Sequence, residues 1–384
     1  MPDTPVVLIL FGTRPEAIKL APVFRALAGR SEAVELRVVS TGQHDELLED
    51  ALGSFDMEVE ESLAIMRPDQ DLYDIGVGCL EGLRATLRRV KPDVVVVEGD
   101  TATVFFGALA GFYEGAEVAH VEAGLRSGDR RAPFPEEIYR RLTDVLTDHY
   151  FAPTAGAKRN LLREGVAAER VNVTGNTVID AVQALAGQRR PIDNAELKRC
   201  IESGRRLVLI TAHRRESFGE PIREAFGALR TLAEEHPDDL FVYPVHPNPN
   251  VRQPAQEMLG GVSNVRLLEP LSYSDLVQVL SAAWITITDS GGIQEEAPSF
   301  GVPVLVMREV TERPEGVELG VAELVGTSRD RILERGGALL DDDGERARMA
   351  TAGNPYGDGQ AGARIADILL HRILGTRRLT EDWA

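Results

Sequence analysis

Residues 288–296 read Thr-Asp-Ser-Gly-Gly-Ile-Gln-Glu-Glu, a strand-like run that passes through two glycines into a helical pattern. A turn of that kind leaves free backbone N–H groups at a helix start, where an anion is stabilised. Gly291 and Gly292 let a phosphate approach the main chain, the Ser290 hydroxyl can donate to it, and Glu296 can accept from ribose hydroxyls one turn further on. An ordinary strand-to-helix turn capped by Asp289 or Ser290 accounts for the same residues equally well. GTRPEAIK at 12–19 has the same outline. Pro15 suits a first helical turn, and Arg14 and Lys19 place two cations where a pyrophosphate would need them, unless both are simply solvated. Arg313, in TERPE at 311–315, has the planar fork that grips a phosphate or a base edge.

Groups able to move protons stand in EGDT at 98–101, HVEAGLRS at 120–127, PFPEE at 133–137 and TAHRRES at 211–217. The acid/base candidates are Asp100, Glu122, Glu136 and His213. Each also has a structural explanation: a helix cap for Asp100, a pair with Arg126 for Glu122, a first helical turn for Glu136, a satisfied loop for His213. Their joint placement after strands favours chemistry. His213 and His246 lack metal-ligand spacing, and no His-x-x-x-His or Cys-x-x-Cys occurs. GVGCLEG at 76–82 has the wrong spacing for a dinucleotide fingerprint and sits inside a helical pattern. Neither a metal nor NAD is expected, and no other cofactor.

The elements that position these groups are short β-branched runs alternating with helical patterns: 6–11, 35–40, 93–98, 118–122, 149–152 and 171–174, then 207–212, 240–245, 265–268, 285–288, 304–307 and 323–325. They read as parallel strands buried on both faces, and their number suits two doubly wound sheets better than one. The expected domains are 1–178 and 179–360, with a closing helix in 361–384 packing back on the first. The boundary rests on the Pro- and charge-rich stretch 187–199.

Composition narrows the classes. The chain has 384 residues, 43% of them apolar and 27% charged, as in an ordinary globular protein. A formal charge of −19 disfavours nucleic-acid or anionic-lipid partners. No apolar run approaches the roughly 20 residues of a membrane span. The opening residues lack the pattern of a signal peptide, so a cytoplasmic location is expected. Cys79 and Cys200 are read as reduced core residues.

GTRPEAIK, GQH (42–44), EGDT, HVEAGLRSGD, PFPEE, TGNTVIDA (174–181), HRRESFG, PVHPNPNV (244–251), TDSGGIQEEA and TERPEG, in this order, resemble the bacterial non-hydrolysing UDP-N-acetylglucosamine 2-epimerases. The resemblance covers nearly the whole chain. It implies two Rossmann-like domains facing a central cleft, the GT-B arrangement, and a homodimer. It also implies an isomerase that interconverts UDP-GlcNAc and UDP-ManNAc, by elimination of UDP to a 2-acetamidoglucal and re-addition, and supplies ManNAc for envelope polysaccharide. Arg14, Lys19, Ser290, Gly291, Gly292, Glu296 and Arg313 match UDP-binding positions, while Asp100, Glu122, Glu136 and His213 match catalytic ones. Gln43, His44, Arg67, Glu136, Arg214 and His246 match a second site at which many members are activated by substrate. Two positions depart from the pattern: Glu46 replaces a polar amide of some relatives, and Glu98 stands before GDT where His or Gln is common. A hydrolysing epimerase, a GT-B glycosyltransferase and a catalytically silent sugar-nucleotide sensor are the rival readings.

Overall fold

The computed structural model describes residues 4–42, 46–67, 70–188 and 190–383. The chain divides into two compact units, Met1–Ala181 with Tyr356–Ala384, and Val182–Pro355. Each is built around one parallel sheet.

In the first unit the strands are β1 (Val6–Phe11), β2 (Glu35–Ser40), β3 (Glu61–Ser62), β4 (Val94–Glu98), β5 (Glu117–Val121), β6 (His149–Ala152) and β7 (Val171–Val173). They lie in the order β3-β2-β1-β4-β5-β6-β7. The second unit has β8 (Leu207–Thr211), β9 (Leu240–Pro244), β10 (Val265–Leu268), β11 (Ala283–Thr288), β12 (Val304–Val306) and β13 (Ala322–Leu324), in the order β10-β9-β8-β11-β12-β13. These are the two doubly wound α/β sheets expected. The two-residue β3 was not anticipated, because Glu61 and Ser62 carry no apolar run to mark it.

The strands are almost uniformly apolar because helices cover both faces. In β8, Leu207 and Leu209 enter one core cluster while Val208 and Ile210 enter the other, the alternation of a pleated strand. β4 follows the rule with one exception. Its four valines are buried, and so is its last residue, Glu98, which is 2% exposed.

Successive strands run outward in both directions from β1 and β4 in the first sheet, and from β8 and β11 in the second. Loops leaving the carboxyl ends of such a pair open the crevice in which doubly wound folds take ligands. The segments that follow β1 and β4 begin GTRPEAIK and GDT; those that follow β8 and β11 begin AHRRES and DSGG. In the first sheet the packing there is tight. A Cβ on Gly12 would stand 2.1 Å from the Thr103 hydroxyl.

Helix Ala361–Leu374 returns to the first unit and packs on helix Arg14–Ala28. A Cβ on Gly362 would come within 2.6 Å of the Pro22 carbonyl carbon, so only glycine allows this approach. Asp180 holds the start of the returning helix by accepting from the N–H groups of Ala361 at 3.1 Å and Gly362 at 2.8 Å. Burial pushes the Asp180 carboxyl up to about 6, against those two hydrogen bonds. Among the described residues no helix is long and apolar enough to cross a membrane. Cys79 and Cys200 are free and buried.

Candidate active site

In the first unit, Glu122 follows β5 in the left-handed region of the backbone, at φ +69°. Its Oε1 accepts from Lys19 Nζ at 2.7 Å and from Asn176 Nδ2 at 2.9 Å. Lys19 Nζ also lies 3.2 Å from Glu98 Oε1. The expected cation is therefore beside the expected carboxylate. Burial, then the charge of Glu122 and a hydrogen bond with it, drive the Glu98 carboxyl well above its ordinary range; the Lys19 ammonium opposes this only in part.

The turn carrying Glu122 is pinned from behind. Asp144, 3% exposed, takes His120 Nδ1 at 2.7 Å, Arg126 Nη2 at 2.7 Å and the Gly124 N–H at 3.3 Å. The other ring nitrogen of His120 contacts the Gly99 carbonyl oxygen at 2.8 Å, tying this turn to the loop after β4. Burial works to raise the Asp144 carboxyl, but His120 and then Arg126 outweigh it and hold it below its ordinary range. Arg126 pairs with Asp144 and Glu164, so the alternative in which it pairs with Glu122 is set aside.

Asp100 is gripped by the Arg140 guanidinium, and Thr101, not Asp100, takes the N-cap position of the helix that follows. Glu136 opens helix Glu136–Leu146 and is half-buried. The next residue, Glu137, is fully buried, accepts from the Ser127 N–H at 3.0 Å and lies 3.5 Å from Arg140. Arg14 heads its helix, half-buried.

The second unit places the remaining candidates around Asp289, which is 1% exposed. Its Oδ2 accepts from the N–H groups of His213 at 2.7 Å and Arg214 at 2.8 Å, while Oδ1 lies 3.2 Å from His213 Nδ1. Burial pushes this carboxyl up, but His213 and the two backbone donors win and hold it low. Asp289 thus fixes His213 to the start of the SGG turn, instead of capping the helix that follows. The His213 ring stacks on that of His246, with centroids 5.7 Å apart. Burial and the neighbouring His213 lower the pKa of His246. Its Nδ1 accepts from the Asn248 N–H at 3.1 Å.

Ser290 occupies the N-cap of helix Gly291–Glu296 without a side-chain cap bond. Arg313 Nε donates to Glu295 Oε1 at 2.9 Å, and a Cβ on Gly291 would meet the Arg313 guanidinium carbon at 3.0 Å. The missing side chain at Gly291 lets Arg313 close over the turn. Glu296 lies 3.3 Å from the Tyr273 hydroxyl. Ser290, Gly291, Gly292, Glu296 and Arg313 are thus neighbours in one turn and its flank.

Of the second-site candidates, Arg214 and His246 adjoin His213, and Arg67 is exposed, its N–H donating to Gln70 Oε1 at 2.5 Å. Gln43 and His44 lie outside the described residues. Arg140, Asn176, Asp144 and Asp289 were not singled out as functional from the sequence. Asn176, within TGNTVIDA, carried a motif signal; Arg140 and Asp144 are ordinary helix residues in one dimension.

The fold and these loops define a doubly wound α/β protein whose polar groups gather at the switch points, where such folds take nucleotide-like ligands. A family model described as UDP-N-acetylglucosamine 2-epimerase matches residues 26–370. An Escherichia coli UDP-N-acetylglucosamine 2-epimerase is 48% identical over 368 residues, covering 94% of this chain and 98% of that one. A Neisseria meningitidis UDP-GlcNAc 2-epimerase solved bound to UDP-GlcNAc superposes with a TM-score of 0.88 at 42% identity, over 97% of this chain and 100% of that chain. The Methanocaldococcus jannaschii enzyme in complex with UDP-GlcNAc and UDP gives 0.80 at 33% identity, over 95% and 99%. The chain belongs to the UDP-N-acetylglucosamine 2-epimerase family.

Proposed function

We propose that this chain interconverts UDP-GlcNAc and UDP-ManNAc at sugar carbon 2, without releasing free sugar. The observation that carries the reading is the placement of two acidic groups after adjacent strands. Asp100 follows β4 and is held by Arg140; Glu122 follows β5 and is held by Lys19 and Asn176. Inverting a carbon centre needs one group to remove its proton and another to return a proton to the opposite face.

The carbon-2 proton is barely acidic in the intact sugar. Departure of UDP from carbon 1 develops oxocarbenium character there and acidifies it. Loss of the proton to a carboxylate then leaves a carbon 1–carbon 2 double bond, the 2-acetamidoglucal. Protonation of carbon 2 from the other face, with attack of a UDP oxygen on carbon 1, gives the epimer, and every bond broken is remade. We assign proton transfer to Glu122 and Asp100. Glu136 and His213 assist it and stabilise the leaving phosphate. Ser290, Gly291, Gly292, Glu296 and Arg313, with Arg14 and Lys19, bind UDP, and retention of UDP is what separates epimerisation from hydrolysis.

The test is proton NMR of UDP-GlcNAc with the purified protein in heavy water. An equilibrium mixture of two UDP-sugars, both deuterated at carbon 2, is expected; accumulation of free ManNAc and UDP would show hydrolysis instead. A Glu122→Gln variant that still exchanges carbon 2 at the normal rate would remove Glu122 from proton transfer.

The same reading includes activation by UDP-GlcNAc through Gln43, His44, Arg67, Glu136, Arg214 and His246. A strictly hyperbolic rate from pure UDP-ManNAc, unchanged by added UDP-GlcNAc, would count against it. It also includes a homodimer. Helices Leu72–Val90, Ala102–Glu114 and Glu136–Leu146 pack side by side and leave Tyr73, Val77, Phe112, Tyr113 and Val145 exposed, an apolar surface that suits a second copy. A Val145→Glu variant that sediments like wild type would argue against that surface. We place the enzyme in the cytoplasm, supplying ManNAc units for envelope polysaccharide.

A further inference from the structure

Glu98 is a carboxylate at the end of an otherwise apolar buried strand, and the reaction scheme above gives it no task. Its side chain is 3% exposed, against 9% for Glu122 and 14% for Lys19. The Lys19 ammonium touches both carboxyls, at 2.7 Å from Glu122 and 3.2 Å from Glu98, and the charge of Glu122 raises the proton affinity of its neighbour. Two carboxyls held against the same ammonium at that burial repel each other when both are ionised, and a proton kept on one of them relieves the repulsion.

The surroundings decide which group keeps the proton. Glu122 has the shorter contact to Lys19 and a second donor in Asn176 at 2.9 Å, both of which favour its ionised form. Glu98 is deeper and has the longer contact. From the helix that carries Lys19 it also faces Glu16, whose charge adds to the repulsion. Asp100, two residues on, is already matched by Arg140. His120 faces the same loop but is matched by Asp144.

We propose that Glu98 is a positioning residue for proton transfer: a buried carboxylic acid that donates to the Glu122 carboxylate and keeps that base oriented and singly charged beside Lys19. This rests on Glu122 being the carbon-2 base. The proton taken from carbon 2 ends on Glu122, while that of Glu98 stays where it is, so the cycle consumes nothing. Burial and the Glu122 charge raise the proton affinity of Glu98 and so favour its donor form. As pH rises through its titration the pair becomes doubly charged and the alignment is lost.

The test compares Glu98→Gln, which keeps an N–H donor and cannot ionise, with Glu98→Leu, which has no donor. Losing the hydrogen bond to a charged group lowers kcat about tenfold or more in Glu98→Leu. KM is expected to stay close to wild type, because Glu98 acts through Glu122. Glu98→Gln recovers most of kcat and lacks the alkaline fall set by Glu98. The infrared difference spectrum of wild type minus Glu98→Gln at neutral pH shows a protonated-carboxyl C=O stretch. The proposal is overturned by absence of that band, by an unchanged alkaline limb in Glu98→Gln, or by wild-type kcat in a folded Glu98→Leu. The infrared band does not depend on Glu98→Leu folding. Carbon-2 exchange in Glu122→Gln is measured in parallel. If it persists, the base assignment fails and this inference with it; if it is abolished while Glu98→Gln keeps the alkaline limb, only the role of Glu98 is refuted.

Discussion

Asp144 does not touch the substrate in the scheme above, yet replacing it should damage both the fold and the chemistry of the first unit. Its carboxylate is the common acceptor for His120, Arg126 and the Gly124 N–H, the residues bracketing Glu122. In Asp144→Ala the His120 ring, 0% exposed, loses its Nδ1 partner, and Arg126 keeps the Leu125 carbonyl and Glu164, which is partly in water. Breaking one side of a buried charged network typically costs about 3–5 kcal/mol. The residual pair with Glu164 puts the expected loss toward the lower end of that range. Asp144→Asn keeps the shape and one acceptor and should fall between.

The assay is urea unfolding followed by tryptophan fluorescence, since the chain has only Trp284 and Trp383. Two units need not unfold together, so one midpoint for the whole chain would be ambiguous. A Trp284→Phe background leaves Trp383, whose N–H bonds the Val173 carbonyl at 2.8 Å, to report on the first unit. The pH dependence has a definite sign. The folded pKa of Asp144 is depressed, so its contribution is complete above the ordinary carboxylate range and is lost as pH falls through the folded value. The gap between wild type and Asp144→Asn should therefore narrow in acid. A loss below about 1 kcal/mol in Asp144→Ala, with normal turnover, would refute the claim that this carboxylate holds the Glu122 turn.

Three further outcomes follow from the same geometry. Arg313→Lys removes the fork that reaches Glu295 and closes over Gly291, and should weaken UDP binding about tenfold by calorimetry; equal affinity would place Arg313 outside the UDP contacts. Asp180 has a folded pKa of about 6 against an ordinary 3.8, so its linkage acts opposite to that of Asp144: stability is complete below the unfolded value and is lost as pH rises to the folded one, by about 3 kcal/mol. Urea midpoints of wild type and Asp180→Asn between pH 4 and 6 should differ in slope accordingly, and parallel curves would contradict it. Glu122→Gln keeps the size of the side chain and leaves Glu98 free to ionise against the Lys19 ammonium, so it should unfold within about 1 kcal/mol of wild type while losing carbon-2 exchange; a large destabilisation would make Glu122 structural.

Strands and motif loops could be read in one dimension because burial on both faces writes a strand as a run of Val, Ile and Leu, and the loops that follow are polar. β3 escaped because an edge strand of two polar residues has no such signature. The chemistry was legible as residue types and only partly as partners. The placement of Lys19 near a helix start is a local pattern, whereas its contact with Glu122 spans 103 positions. Arg126 was weighed as the partner of Glu122 because it is near in sequence, whereas the fold gives it Asp144 and Glu164. Asp289 and Ser290 are equal candidates in the sequence to cap the helix after them; Ser290 takes the N-cap, and the neighbouring strand brings His213 and Arg214 to Asp289. Long-range pairing between parallel strands is what a linear pattern does not carry.

The backbone at Glu122 supports its assignment independently. A side chain in the left-handed region costs about 1–2 kcal/mol, and Glu is not a residue that favours it. The conformation is imposed from both sides: Ala123 N–H bonds the Phe151 carbonyl at 3.1 Å, Asn160 donates to the Gly124 carbonyl at 3.0 Å, and Asp144 holds the residues around them. Glycine at 122 would remove the strain, but it would leave Lys19 and Asn176 without their carboxylate. The turn therefore carries a backbone cost and a buried carboxyl pair at one residue, neither of which improves the stability of the first unit. A strained, charged position over-determined by its surroundings is the usual mark of a group held for chemistry. It is also why the orientation of Glu122, more than its identity, is the property that His120, Asp144 and Glu98 jointly protect.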